Sequence, residues 1–423
     1  MHDRRLTRRR FLGTASAAAA GLVLAHRAGA AEPAPPADAI HVAILGAGTH
    51  GRQLLRYCLK IPGVRFKAVC DIWPFSQTYG SRFLAAYKQP VTVYEDYREM
   101  LAKEKDLDAA IVATPDSFHA EQTIACLDAG LHVYCEKEMH HTLDGARRMV
   151  QAARKAGKLL QVGRQHRSNP RYHTALDTID AKKALGRMVH VAGQWHGHGR
   201  VPFTWKEKYE IDPAVLKRYG YASMQAFRDW RWSKHFSAGP MANLGSHQVD
   251  VFNWFLHAPP KSVVASAGRD YYDIYDWYDN IACLFEWDYT WDGTTKTVRG
   301  DYDIVTMSED QGFFEVFTGT EGALTISEHE SKGGLRREKG APFADWEKDL
   351  EGEGRTYPPI PYPGDAKPVH QYHLENFFDA IRGKAKLTCP AEVGYVATVC
   401  AMKANEAAAT GRRIALTPED FKA

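Results

Sequence analysis

A short glycine-rich segment offers the most specific chemistry in the chain. Residues 46–51 are GAGTHG, so Gly46, Gly48 and Gly51 occupy the glycine positions of the pattern GxGxxG. Between a strand and a helix, such a loop lets the main chain approach a pyrophosphate, which the helix N-terminus then stabilises. Asp71 follows about 20 positions later, the spacing of a carboxylate that binds ribose hydroxyls. The predicted dinucleotide-binding residues here are Gly46, Gly48, Thr49, His50, Gly51 and Asp71. The acid favours NAD over NADP, whose extra phosphate it would repel.

Three further segments place polar residues at the ends of predicted elements: 113–119 (ATPDSFH), 129–137 (AGLHVYCEK) and 239–250 (GPMANLGSHQVD). Together with the glycine loop they resemble the Gfo/Idh/MocA family of sugar and polyol oxidoreductases, over roughly residues 40–415. The resemblance implies a bound nicotinamide dinucleotide. It adds these predicted cofactor-binding residues: Thr114, Pro115, His119, Glu136 and Lys137.

The resemblance also implies catalytic positions. The family's Glu-Lys-Pro motif places a lysine beside the nicotinamide and the substrate hydroxyl, and Lys137 matches it, although Glu138 stands where the family has proline. In the third segment, residues 239–250, Gly245, His247 and Asp250 match the family motif, whereas Asn243 replaces a frequent aspartate.

Oxidation of a secondary alcohol requires hydride transfer and loss of the hydroxyl proton. His247 is the predicted base, because an imidazole exchanges protons near neutral pH. Lys137 would stabilise the developing negative charge. Asp250, one helical turn beyond His247, would orient it. Each has a structural alternative: a core histidine, a strand-end lysine, and an aspartate that caps or pairs within its helix.

Other polar and aromatic residues are candidates for binding a sugar. The predicted substrate-binding residues are Arg164, His166, Arg167, Trp195, His196, Asn243 and His247, and the run Trp230-Arg231-Trp232 is a further candidate. His196 and His198, with His166 or His140-His141, could supply imidazole ligands to a metal, but the sequence places no carboxylate or third ligand with them. We therefore predict no metal.

The elements that must position these residues follow a clear pattern. Short apolar strands alternate with helices from residue 40 to 162, which predicts a parallel, doubly wound Rossmann sheet. From about residue 164, β-like stretches have few helices between them, which predicts an α+β domain with a large, mostly antiparallel sheet. The predicted fold is α/β, with domains at 40–163 and 164–423. Two helices end the chain, and residues 328–365 are expected to form an exposed insertion.

The N-terminal residues have the composition of an export signal. Residues 7–13 are TRRRFLG, an apolar stretch follows to residue 25, and residues 28–30 (AGA) suit cleavage. This predicts a twin-arginine signal at residues 1–30, a Pro/Ala linker at 31–39, and periplasmic export through the twin-arginine machinery. The rest of the chain is nearly neutral, which argues against nucleic acid as a partner. Its seven cysteines lack CxxC spacing and are interpreted as small buried residues.

These observations predict an oxidoreductase that moves a hydride between NAD and a secondary hydroxyl or ketone of a sugar, polyol or glycoside. Because the periplasm is not expected to hold free nicotinamide cofactor, the cofactor should be tightly bound. Two alternatives remain: an NAD-dependent glycoside hydrolase that oxidises its substrate transiently, with His196, His198 or Tyr172 as acid or base, and a non-catalytic sugar-binding protein. A homo-oligomer is expected, formed through the antiparallel sheet.

Overall fold

The computed structural model describes residues 39–197, 202–329 and 332–423. The predicted export signal, nearly all of the linker, and His198 lie outside these residues.

The first sheet contains six parallel strands in the order β3-β2-β1-β4-β5-β6, which confirms the predicted Rossmann topology. Its strands carry apolar side chains on both faces because helices cover both. The elements are β1 (Ile40–Leu45), α1 (Thr49–Cys58), β2 (Val64–Cys70), α2 (Pro74–Ala86), β3 (Thr92–Tyr94), α3 (Tyr97–Lys103), β4 (Ala109–Val112), α4 (Asp116–Asp128), β5 (His132–Cys135), α5 (Leu143–Ala156) and β6 (Leu160–Val162).

The second sheet has nine strands in the order β14-β13-β12-β11-β7-β10-β9-β8-β15. Neighbouring strands are antiparallel except β7 and β10, which confirms a large, mostly antiparallel sheet. Its strands are β7 (Met188–His196), β8 (Ser262–Gly268), β9 (Asn280–Trp291), β10 (Thr294–Val305), β11 (Phe313–Gly319), β12 (Gly322–Ile326), β13 (Gly333–Arg337), β14 (Thr356–Tyr357) and β15 (Ile414–Ala415). The helices are α6 (Pro170–Asp180), α7 (Pro213–Arg218), α8 (Met224–Arg228), α9 (Ser246–Phe255), α10 (Val369–Ile381) and α11 (Ala391–Thr410).

The last two helices connect the two sheets. Helix α10 packs against α1, and α11 packs against α5, α9 and β8. Gly394 of α11 lies so close to β6 that a Cβ there would be 2.5 Å from Val162 Cγ2. In the part of the chain that the structure describes, no helix is both long and apolar enough to cross a bilayer. All seven cysteines are buried and free, as their sequence contexts predicted.

The expected exposed insertion at 328–365 is wrong in part. This segment adds β13 and β14 to the edge of the large sheet. It also buries Glu347, which accepts hydrogen bonds from Arg355 (2.7 Å) and Tyr357 (2.8 Å). Strands of five and two residues are too short for their alternation to be detected in a polar sequence.

Candidate active site

The glycine loop joins β1 to α1 and has the geometry that a phosphate needs. Gly46 has φ +88°, and a Cβ there would lie 2.5 Å from the Ala113 carbonyl oxygen. A Cβ on Gly51 would lie 1.9 Å from the Gly46 oxygen, whereas one on Gly48 would have no atom within 4 Å. Gly46 and Gly51 thus permit close backbone packing, while Gly48 leaves open space. Helix α1 has no side-chain cap and no acid in its first turn, so its N-terminus suits an anion.

Asp71 follows β2 at the edge of the same cavity. Its carboxylate accepts hydrogen bonds from the backbone N–H groups of Ala47 (2.7 Å) and Trp73 (2.8 Å). Burial raises the pKa of Asp71 to about 6, against the opposing effect of these two donors and Arg52. The remaining lone pairs can accept ribose hydroxyls. The loop and this acid together fit a dinucleotide.

A cavity of about 720 Å³ lies between the glycine loop, the carboxyl ends of the parallel strands and the start of α9. The residues predicted from the sequence that line it are Gly46, Gly48, Thr49, His50, Asp71, Thr114, Pro115, Glu136, Lys137, Trp195, Asn243 and His247. The two sheets therefore bring together residues from both halves of the chain.

Lys137 and His247 line this cavity together. Lys137 follows β5, and its Nζ donates a hydrogen bond to the carbonyl oxygen of Asn243. Burial lowers the pKa of Lys137, while Asp116 and Glu136 favour its charged form. His247 lies in the first turn of α9 and is 4% exposed. Burial holds the pKa of His247 well below its usual range, and the neighbouring charge of Lys137 acts in the same direction. A neutral imidazole therefore lies near a lysine, as proton abstraction beside a charge-stabilising group requires.

Asp250 does not orient His247, which corrects the sequence-based expectation. Arg167 donates to both Asp250 oxygens, from Nε (2.7 Å) and NH2 (2.9 Å), and Asp250 is 2% exposed. In the described chain His247 Nδ1 has no hydrogen-bond partner. The predicted substrate role of Arg167 is corrected by the same ion pair, because it occupies the guanidinium away from the cavity.

Arg164 is also a structural residue rather than a substrate ligand. It is fully buried and donates from NH2 to both oxygens of Glu138 (2.8 and 3.0 Å), and from NH1 to Ser246 Oγ (2.8 Å). Glu138, which replaces the family proline and follows a cis peptide bond, also accepts from Thr398 Oγ1. The pair thus connects the Lys137 segment to the start of α9.

Four other predicted residues lie outside the cavity lining. Gly51 is beneath the loop, and His119 binds the backbone oxygens of Thr114 and Glu138, each at 2.7 Å. His196 pairs with Asp303 at 2.6 Å and does not line the cavity, so the structure places it apart from the predicted sugar contacts that do. His166 is buried behind His247. A histidine or arginine next to a strand end can point to either side of the backbone, and the sequence pattern does not distinguish the two.

Two family profiles match the chain. The profile described as the oxidoreductase family, NAD-binding Rossmann fold, matches residues 40–164, and the one described as the oxidoreductase family, C-terminal alpha/beta domain, matches residues 210–416. The chain belongs to the Gfo/Idh/MocA oxidoreductase family. It is thus an enzyme of the oxidoreductase class with an NAD-binding domain.

Similar proteins cover nearly the whole chain. D-glucoside 3-dehydrogenase of Escherichia coli (strain K12) is 26% identical over 395 residues, 89% of this chain and 97% of the relative. 1,5-anhydro-D-fructose reductase of Ensifer adhaerens is 26% identical over 74% of this chain and 81% of its own. The solved aldose-aldose oxidoreductase of Caulobacter crescentus, complexed with glycerol, has a TM-score of 0.68 at 19% identity and covers 89% of this chain and 100% of its own. That structural likeness shows the fold.

This Gfo/Idh/MocA member covers its cavity with residues 202–238, which we call the cap. The cap's side chains in the cavity lining are mostly aromatic: Phe203, Tyr219, Tyr221, Phe227, Arg228, Trp230, Arg231 and Trp232. The candidate run Trp230–Trp232 thus does reach the cavity. The other five were missed, although the dense aromatic content of the segment is a signal for them.

His370 was also missed because it comes from α10, far along the chain. Ligand atoms of His50, Glu136 and His370 all lie within 4.8 Å of one another, and His50 Nε2 is 2.8 Å from Glu136 Oε1. The cluster joins the glycine loop to the segment that carries Lys137. None of its members belongs to the histidine set that the sequence analysis considered for a metal site.

Proposed function

We propose that this enzyme transfers a hydride between a retained NAD and a secondary hydroxyl or ketone of a sugar, polyol or glycoside. The observation that carries the proposal is that Lys137 and His247 line one cavity with the glycine loop. The names of its relatives, among them D-glucoside 3-dehydrogenase and inositol 2-dehydrogenase, support the sugar and polyol class.

The bound dinucleotide would supply the hydride acceptor or donor. Lys137 Nζ has three N–H donors and uses one on Asn243, so it can hold the substrate oxygen and stabilise its negative charge. His247 Nδ1 is buried, so Nε2 is the nitrogen available to take the hydroxyl proton. Trp195, with its ring centroid 6.2 Å from that of His247, offers an aromatic face to a sugar ring.

The cap supports tight retention of the cofactor. It packs on the residues that follow Asp71. Trp73 Nε1 donates a hydrogen bond to the backbone carbonyl oxygen of Tyr209 at 2.5 Å, and the ring centroids of Phe75 and Tyr209 are 4.5 Å apart. The Arg228 guanidinium lies 5.0 Å from the centre of the Trp73 ring. A dinucleotide bound through Asp71 would therefore lie under the cap, and its release would require these contacts to open.

The test is to purify the full chain without added cofactor and measure NAD in the supernatant after denaturation. Sugars, polyols and glycosides are then screened for a change in the absorbance of the bound nicotinamide. We expect NAD to be found and to be reduced by at least one sugar. A protein that is empty, and that remains inactive with added NAD, would overturn the proposal.

We also propose that residues 1–30 direct export through the twin-arginine pathway, supported by the TRRRFLG motif and the apolar stretch after it. Replacing Arg8 and Arg9 with lysine should retain the protein in the cytoplasm, measured by cell fractionation. The matched control is Arg27→Lys, which lies outside the motif. Equal periplasmic amounts of both variants would contradict the proposal.

The hydrolase alternative receives less support from the geometry. Tyr172 is fully buried with its hydroxyl bonded to Glu315 (2.7 Å), and neither Tyr172 nor His196 lines the cavity. Incubation with aryl glycosides separates the two functions. Release of the phenol without added NAD would favour the hydrolase.

A further inference from the structure

The predicted base is enclosed in a way that leaves its proton without an obvious exit. His247 is 4% exposed, and in the described residues its Nδ1 atom has no hydrogen-bond partner. The charged groups that act most strongly on it are basic: Lys137, His166, Arg164 and His370. Together with burial they oppose an imidazolium at this position. A base that merely kept the substrate proton would add a second buried positive charge beside Lys137.

A second histidine lies next to the first and does not line the cavity. His166 is 1% exposed, and its ring centroid is 5.3 Å from that of His247, with the planes at 74°. Neither of its ring nitrogens makes a hydrogen bond among the described residues. His166 Nε2 nevertheless lies within ion-pair distance of Glu328 Oε1, at 3.1 Å. The Glu328 side chain is 19% exposed, so the series leads from the buried base to solvent.

The other groups around His166 are already occupied. Asp250 is held by Arg167, and Arg164 is held by Glu138. The hydroxyl of Tyr172, whose ring centroid is 4.9 Å from that of His166, is bonded to Glu315. Gln165 Nε2 donates to Glu328 Oε1 at 3.2 Å and so fixes the acceptor. Of these neighbours, Glu328 is the acid placed to exchange a proton with His166.

Building on the proposed function, we propose that His166 and Glu328 relay the substrate proton between His247 and solvent. As the hydride leaves carbon for the nicotinamide, the hydroxyl proton passes to His247 Nε2. The Nδ1 proton of His247 passes to His166 Nδ1 through a water molecule between the two rings, and the Nε2 proton of His166 passes to the Glu328 carboxylate, which releases it to solvent. Both imidazoles end neutral, with their tautomers exchanged. The reductive half-reaction on a retained cofactor returns a proton along the same path and restores both tautomers.

The kinetic test uses single turnovers of the cofactor-loaded full chain with its sugar. His166→Ala and Glu328→Gln should each slow nicotinamide reduction by at least about tenfold, with unchanged sugar affinity and a larger solvent deuterium isotope effect. Added imidazole should restore the rate of His166→Ala, because the small base can occupy the space left by the ring. The matched control is His190→Ala, an exposed histidine of β7 that should behave as the wild type.

A substitution that merely disturbs packing would lower the rate without rescue by imidazole and without a change in isotope effect. That result, or wild-type rates in both variants, would overturn the relay.

A second measurement does not depend on turnover. Nitrogen NMR of histidine-labelled protein should show His166 protonated at Nε2, and Glu328→Gln should change the signals of both His166 and His247 while leaving His190 unchanged. Unchanged signals at His166 and His247 would overturn the relay whether or not a sugar is oxidised. If none of the sugars reduced the bound nicotinamide of the wild-type protein, the proposed function would be overturned instead. The NMR result would still show whether the two histidines are coupled.

Discussion

At the residue scale, the site depends on how burial changes the chemistry of each side chain. Burial favours the neutral forms of both Lys137 and His247, whereas the acids Asp116 and Glu136 favour the charged form of the lysine. Among the described residues, the charged groups that act most strongly on the imidazole are basic. Nearby charges thus favour the charged form of the lysine and oppose that of the histidine, a difference that environment rather than residue type produces.

Lys137→Met tests the charge-stabilising role, because methionine keeps most of the volume and removes the cation. We expect kcat/KM for the sugar to fall by about 10²- to 10³-fold, since a preorganised donor to the developing charge is lost. The amount of NAD that co-purifies and the circular dichroism spectrum should remain those of the wild type. Full activity in this variant would show that a group other than Lys137 stabilises the developing charge.

Asp71 predicts a pH dependence of cofactor binding. A ribose hydroxyl donates best to the carboxylate, and burial raises the pKa of Asp71 to about 6. As the pH falls through that value the group is protonated and an acceptor is lost, so the Kd for NAD should rise, as measured by calorimetry on the stripped protein. Asp71→Asn should bind more weakly than the wild type above that pH, and without this transition.

At the scale of elements, loop and helix ends do most of the positioning. The glycine loop is shaped by the close contact of Gly46 with the segment after β4, and His247 is placed by the first turn of α9. The cap is held mainly by aromatic contacts with the residues after β2, so its short helices depend on tertiary packing.

Trp73→Ala should open the cap. It removes the hydrogen bond to Tyr209 and the contacts with Phe227 and Arg228. We expect NAD to dissociate about tenfold faster or more, because the contacts that hold the cap over the cofactor are lost. The rate is measured by trapping the released NAD with a second dehydrogenase. Phe343→Ala, an exposed aromatic residue distant from the cap in sequence, is the control and should release NAD at the wild-type rate.

At the scale of the whole molecule, buried charge pairs connect segments that are far apart along the chain. Arg164 follows the last strand of the parallel sheet and binds both Glu138, beside Lys137, and Ser246, beside His247. One guanidinium thus connects the segments that carry the two side chains proposed to react. Residues of α10 and α11 complete the arrangement, since His370 and Thr398 also reach this region.

Arg164→Met leaves the Glu138 carboxylate buried without its partner. The free energy of unfolding should fall by about 3–5 kcal/mol, measured by urea denaturation of the full chain. Adding Glu138→Gln removes the uncompensated charge, so the double variant should regain much of the loss. If the single variant is as stable as the wild type, the pair has no structural role.

The sequence by itself determined the class of fold and the cofactor loop. Both depend on local signals: strands and helices reveal themselves by the spacing of apolar residues, and the loop from 46 to 51 is one continuous motif whose glycines meet nearby backbone. Only the tertiary structure decided which polar residues face the cavity. Arg164, Arg167, His196 and Asp250 have the right types and positions for an active site. Each is paired elsewhere, because a charged group or ring that is wholly or partly buried requires a partner, which the fold supplies from a distant segment. The place of His370 and of most of the cap in the cavity could not be predicted either. They reach it through contacts between segments far apart along the chain, and such contacts leave no periodic pattern in the sequence.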